Sequence, residues 1–125
     1  MMVRENNRSK AVSPCRFIIK SQEHTAQNRQ EAAAIILNIV AEQDESILDR
    51  VAGLREHGVY RRYLAKSADE VYPENPKFAA KKTFQFRPGW YIPGGLGPKT
   101  LSRLVKMVCK SSNFEYGKDI ILLDQ

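Results

Sequence analysis

The segment RPGWYIPGGLGPKTLSRLVKMVCK, from Arg87 to Lys110, holds the residues whose types and spacing suit anion chemistry. Gly94, Gly95 and Gly97 form a loop whose backbone N–H groups carry no shielding side chain. Pro98 follows, and a proline fits the first helical turn because its missing N–H has no helical partner there anyway. Lys99, Arg103, Lys106 and Lys110 then recur at intervals of four, three and four, which puts four cations in one stripe of a helix. Leu101, Leu104, Val105 and Val108 make an apolar stripe on the same helix. A glycine loop entering a basic amphipathic helix offers N–H donors and the positive end of the helix dipole, an arrangement suited to phosphate. The competing use of such a stripe is a solvated cationic face over an ordinary core helix.

Other residues could join this chemistry. Arg61 and Arg62 fall in Val59–Leu64, which has the β-branched and aromatic composition of a strand. Neighbours on a strand point to opposite faces, so at most one of the two aims at a ligand. Lys77, Lys81, Lys82 and Arg87 could extend a basic footprint. Tyr60, Tyr63 and Trp90 have faces on which bases can stack, although core packing is the competing demand on them. His57 beside Gly58 reads as a helix-end residue favoured by the dipole, and His24 as a surface residue. No nucleophile, base and orienter occur in a catalytic motif, so no enzyme is expected. Cys15 and Cys109 have neither metal-site nor disulfide spacing, and are expected as reduced thiols in a cytoplasmic protein without metal or cofactor.

Charge is unevenly distributed. Between Arg55 and Lys110 there are twelve Lys/Arg and four acidic residues, leaving eight basic and ten acidic in the rest. The formal net charge of +6 is therefore concentrated in the second half, as expected of a protein that meets a polyanion there. A hydrophobic content of 42% supports a folded core. No apolar run approaches the roughly 18 residues of a membrane span, and no apolar segment follows the N-terminal charges as in a secretory signal.

Periodicity supplies the positioning elements. Residues 1–13 are polar and aperiodic, and are expected as a mobile tail. Arg16–Lys20 is a short apolar run, either a strand or the lead-in to a helix. A helix is expected from about Thr25, with Ala32, Ile35, Ile36, Ile39 and Val40 inward and Glu31, Asn38 and Glu42 outward. Asp44 is a candidate N-cap for a second helix carrying Ile47, Leu48, Val51 and Leu54, which should stop at His57-Gly58. Residues 67–82 read mostly as loop with a short helical turn. Thr83–Phe86 and Trp90–Ile92 are strand candidates, Pro98–Ser112 is the last helix, and Asp119–Leu123 is a closing strand or apolar tail.

The order His57-Gly58, Arg61, Tyr63, Ala65, then Pro88-Gly89, Trp90 and Ile92 before a final helix resembles the C-terminal DNA-binding domain of SeqA, the negative modulator of replication initiation. The similarity spans roughly residues 35–114. It implies a protein that engages duplex DNA; that family reads hemimethylated GATC sites. Arg61 falls on a DNA-engaging arginine of the family, Val59 stands where another would be, and Arg62 is an additional cation. The family's loop after the Trp-x-Ile strand is rich in Asn and Thr, whose amides read base edges. Here it is Pro93-Gly94-Gly95-Leu96-Gly97, without the amides that pair with adenine but with N–H groups for phosphate. Lys99 lies near a basic position following that loop. Residues 1–22 do not match the family's self-association segment.

These readings converge on an α+β fold, a small antiparallel sheet packed on three main helices. Residues 1–22 form a flexible or partly ordered segment and residues 23–125 a single SeqA-like domain. The expected function is non-catalytic binding of duplex DNA backbone by Arg61, Arg62, Gly94, Gly95, Gly97, Lys99, Arg103 and Lys106, in regulation of replication or transcription. The alternatives are a protein-interaction or scaffold module for an acidic partner, or an accessory subunit of a nucleic-acid-processing complex.

Overall fold

The run at Arg16–Lys20 resolves into a hairpin. In the computed structural model, which describes residues 14–58 and 61–123, β1 (Cys15–Ile19) pairs antiparallel with β2 (Gln22–Ala26). Lys20 and Ser21 close it with φ of 49° and 70°. Two positive φ values in a two-residue turn match the right-handed twist of the strands it joins. Neither residue is glycine or asparagine, so the turn carries no sequence signal, and the helix expected from Thr25 starts instead at Arg29. The hairpin also runs across the boundary expected at residue 22, while the tail expected over residues 1–13 lies outside the described residues. His24 is half-buried rather than at the surface, its ring stacked on Phe17 at 5.3 Å.

Helix α1 (Arg29–Gln43) begins where Asn28 Oδ1 accepts from the Glu31 N–H at 2.9 Å, and Glu31 reaches back to the Gln27 N–H. Its buried face is Ala32, Ala33, Ile36, Leu37, Val40 and Ala41, with Ile35 and Ile39 at the margin. Asn38, expected outside, is half-buried. It donates to the Phe86 carbonyl at 3.1 Å and accepts from Arg87 at 2.9 Å. Helix α2 (Ser46–Ala52) buries Ile47, Leu48 and Val51 and ends at Gly53, five residues before the expected stop. The Gly53 N–H returns to the Asp49 and Arg50 carbonyls with its backbone still right-handed at φ −84°, so the helix ends here without a left-handed glycine. Asp44 Oδ1 accepts from the Ser46 N–H and hydroxyl, which holds its carboxyl below the usual range.

The strand expected over Val59–Leu64 does not form across its described part, residues 61–64. Just beyond it Ala65 bridges to Tyr91, with hydrogen bonds of 3.1 and 2.8 Å, while the Arg62 N–H goes to the Val71 carbonyl at 2.8 Å. The expected loop at 67–82 contains two short helices, α3 (Ala68–Val71) and α4 (Pro76–Lys82), capped by the side chains of Ser67 and Asn75. Strands β3 (Thr83–Arg87) and β4 (Trp90–Pro93) pair across a turn at Gly89, whose φ of 81° favours glycine. Helix α5 (Pro98–Lys110) and β5 (Ile120–Leu122) complete the chain.

The fold is α+β, but the expected single sheet is two: β2-β1-β5 and β3-β4, both antiparallel. Phe17, Ile36, Leu37, Leu48, Leu64, Ile92, Leu101, Leu104 and Ile120 are fully buried in one core, and α5 packs on α1, α2 and β5. Burying such side chains stabilises by roughly 1.5–3 kcal/mol each, which fixes α5 and the charges on its outer face. No helix of the described residues is long and apolar enough to cross a membrane.

Candidate nucleic-acid interface

Helix α5 separates its two stripes cleanly. Leu101, Leu104, Val105, Met107 and Val108 are buried, while Lys99, Arg103 and Lys106 are exposed. At 1.5 Å rise per residue, Lys99 and Lys106 lie about 10 Å apart along the axis, close to three base-pair rises of duplex DNA. Beside them runs a groove of about 610 Å³ lined by Lys99, Ser102, Arg103, Lys106 and Tyr116, and among the described residues no carboxylate lines it. Lys106 Nζ sits 5.2 Å from the centre of the Tyr116 ring, whose hydroxyl bonds Ser102 at 3.1 Å. Tyr116 had no sequence signal beyond being one aromatic in the polar stretch around it, yet it is 38% exposed and belongs to the cationic groove.

Ion pairing decides which cations are free. Lys20 pairs with Asp119, Arg50 with Asp44, Lys66 with Asp49, and Arg87 with Glu45. Lys110, fourth in the expected stripe, is in close contact with Glu56 and drops out of the row. Lys99, Arg103 and Lys106 have no carboxylate partner among the described residues, and neither do Lys77, Lys81 and Lys82 on exposed positions of α4. Among the described residues the α5 row therefore has no ion-pair partner, while Glu56 lies with Arg103, Lys106 and Lys110 along a second pocket beside the helix.

The two arginines part company. Arg61 Nη1 donates to the Gly95 carbonyl at 3.1 Å and to the Tyr72 hydroxyl at 3.3 Å, and Nη2 reaches Thr100 Oγ1 at 3.5 Å. Its guanidinium lies 5.7 Å from the Tyr63 ring centre, and the Tyr63 hydroxyl accepts from Arg103 at 3.2 Å. Arg61 therefore joins the glycine loop and the head of α5, with Tyr63 between it and Arg103. Arg62 turns the other way, against the Ala52 carbonyl at the end of α2, where a cation complements the helix dipole. Tyr63 and Trp90 are each 5% exposed, so their faces serve the core; Tyr60 lies outside the described residues.

The glycines have distinct duties. The Gly94 N–H is spent on the Lys82 carbonyl at 2.6 Å, and a Cβ there would stand 2.9 Å from that oxygen, so Gly94 is a packing residue. Gly95 and Gly97 are exposed with nothing close to a would-be Cβ. Gly97 caps α5 only through its carbonyl, which accepts from Leu101 at 3.0 Å. The Lys99 and Thr100 N–H groups have no partner among the described residues, so two donors open at the end of the cationic row.

His57 is held by both nitrogens. Nδ1 accepts from the Tyr63 N–H at 2.9 Å, so Nε2 carries the proton it gives the Val51 carbonyl at 3.1 Å. Burial first, and then the Arg62 charge, push its pKa below the usual value. This is a neutral strut that orients Tyr63. Among the described residues no three His, Cys, Asp or Glu gather where a metal ion could sit. Chemically, the assembled groups can grip phosphates in a row. Comparison with protein-family models, curated proteins and solved structures gave no match.

Proposed function

We propose that this chain is a non-catalytic DNA-binding protein, which grips the duplex backbone along α5. The observation that carries it is the row Lys99, Arg103 and Lys106, three exposed cations in one stripe of α5 without an ion-pair partner among the described residues. An isolated lysine face is usually a solvated surface. This one faces a groove with no carboxylate among its described lining residues and has open N–H donors at its head, both of which favour phosphate. Arg61 acts as a positioning residue for the Gly95–Thr100 loop, and Arg103 is oriented by Tyr63. Such contacts set position more than sequence, and the SeqA-like order of the sequence agrees with a duplex ligand in a cytoplasmic regulator.

The test is anisotropy of labelled 20-base-pair duplexes (an assay choice) across salt, with unmethylated, hemimethylated and fully methylated GATC sites, a scrambled duplex and a single strand. Salt-steep binding to every duplex supports a backbone grip. Preference for the hemimethylated site adds base reading by loop N–H groups. No binding at low salt refutes the proposal.

A further inference from the structure

A second site adjoins the α5 row. Between the end of α3 and the body of α4, Arg61, Tyr72, Glu74, Asn75 and Phe78 line a pocket of about 290 Å³. We propose that this pocket takes one unpaired nucleobase of the DNA held along α5. The inference rests on the DNA reading above and extends it to the structure of the substrate.

Phe78 is 42% exposed, although a domain of this size has every use for its aromatics inside. Tyr72 meets it edge-on, with centroids 4.8 Å apart and planes at 86°. That contact holds the Phe78 ring in place without stacking on it, which leaves a ring face for a flat partner. Around the ring stand groups that suit a base edge. Glu74 has no cation partner among the described residues, and a carboxylate accepts from an exocyclic amino group while repelling a phosphate. Asn75 Oδ1 is spent on the Phe78 N–H at 3.1 Å, so its amide N–H₂ remains as a donor.

Arg61 forms the wall shared with the phosphate row. The same guanidinium that borders Tyr72 holds the Gly95 carbonyl and reaches Thr100 at the head of α5. A strand with phosphates on Arg103 and Lys99 thus continues toward the pocket, and an already unpaired base enters without the cost of leaving a stack. The pocket accounts for an exposed aromatic and for an acid without a cation partner among the described residues.

The experiment uses the full chain and three labelled duplexes: fully paired, carrying one bulged adenine, and carrying one bulged abasic nucleotide. The abasic bulge matches the flexibility of the adenine bulge without the base. Expected is about tenfold tighter binding of the adenine bulge than of the other two, within the range that stacking one base supplies. Phe78→Ala should bring all three to equal affinity with an unchanged salt dependence, and Phe78→Trp should keep the preference. Equal binding of adenine and abasic bulges by the unaltered protein, or a preference that survives Phe78→Ala, overturns the pocket and leaves backbone binding intact. No binding of any duplex at low salt overturns both readings and directs attention to an acidic peptide.

Discussion

Removing cations from α5 one at a time gives a quantitative check on the interface. Each phosphate neutralised on B-DNA contributes about −0.9 to the log–log slope of affinity against salt. Taking roughly five phosphates, three on the α5 row and two on the α4 lysines, the slope is about −4.5. Raising salt fourfold should then weaken binding about five-hundredfold. Lys99→Ala, Arg103→Ala and Lys106→Ala should each shallow the slope by about one unit, and the triple variant should weaken only about twelvefold over the same range. Lys110 supplies the control, because Glu56 already neutralises it. Deleting that pair together, Lys110→Ala with Glu56→Ala, should leave the slope unchanged. Anisotropy at four or more salt concentrations measures all of these. Slopes that stay at the unaltered value in all three single variants, with binding still measurable, would refute the α5 footprint; equal losses in the Lys110/Glu56 variant would refute the pairing argument.

Three further outcomes follow from local geometry. Gly94→Ala should cost about 1–3 kcal/mol in urea unfolding, since its Cβ meets the Lys82 carbonyl oxygen, whereas Gly95→Ala should stay within about 0.5 kcal/mol. His57 has a depressed pKa in the folded state, so between that value and about 6.5 the unfolded chain binds more protons. Its contribution to stability is complete above about pH 6.5 and is lost as pH falls through that value; His57→Gln, which can keep both hydrogen bonds, should flatten the urea midpoint between about pH 7.5 and pH 5.5. Burial, and then the Asp119 charge, push the half-buried Cys109 thiol up to about 11, so it should react with a thiol reagent at neutral pH at least about tenfold more slowly than a free cysteine.

What could be read in advance was whatever periodicity and helix chemistry encode. Helix α5 starts at Pro98 as expected because proline after a glycine loop is a strong local signal, and its buried stripe follows from spacing alone. Strands β3 and β4 stood out because apolar and aromatic residues cluster between breakers, whereas β5 lay in a short apolar run that suited a strand or an apolar tail equally. The β1–β2 turn was illegible, since Lys20-Ser21 lacks the residues that usually take positive φ and is held there by strand pairing. Arg61 and Arg62 were indistinguishable in sequence; a carbonyl on Gly95 and another on Ala52 separate them in space. The withdrawal of Lys110 depends on Glu56, fifty-four positions away, and no local pattern could announce it. Tyr116 reaches the groove only because β5 returns the chain to the sheet beside α5.

That return has a kinetic meaning. Phe17 pairs with Leu122, and the hydrogen bonds from Lys20 to Asp119 and from Leu123 to Arg16 tie the same distant segments. Closing a loop of that length costs about 2 kcal/mol more entropy than closing one of ten residues, so β5 should be among the last elements to dock and the hairpin must wait for it with one edge unpaired. On a ribosome the wait includes synthesis of everything between. During that interval the open edge of β1 is the place where two nascent copies could pair with each other instead of each with its own β5. Expression yield should therefore respond to substitutions in β5 more strongly than their effect on the finished fold would suggest.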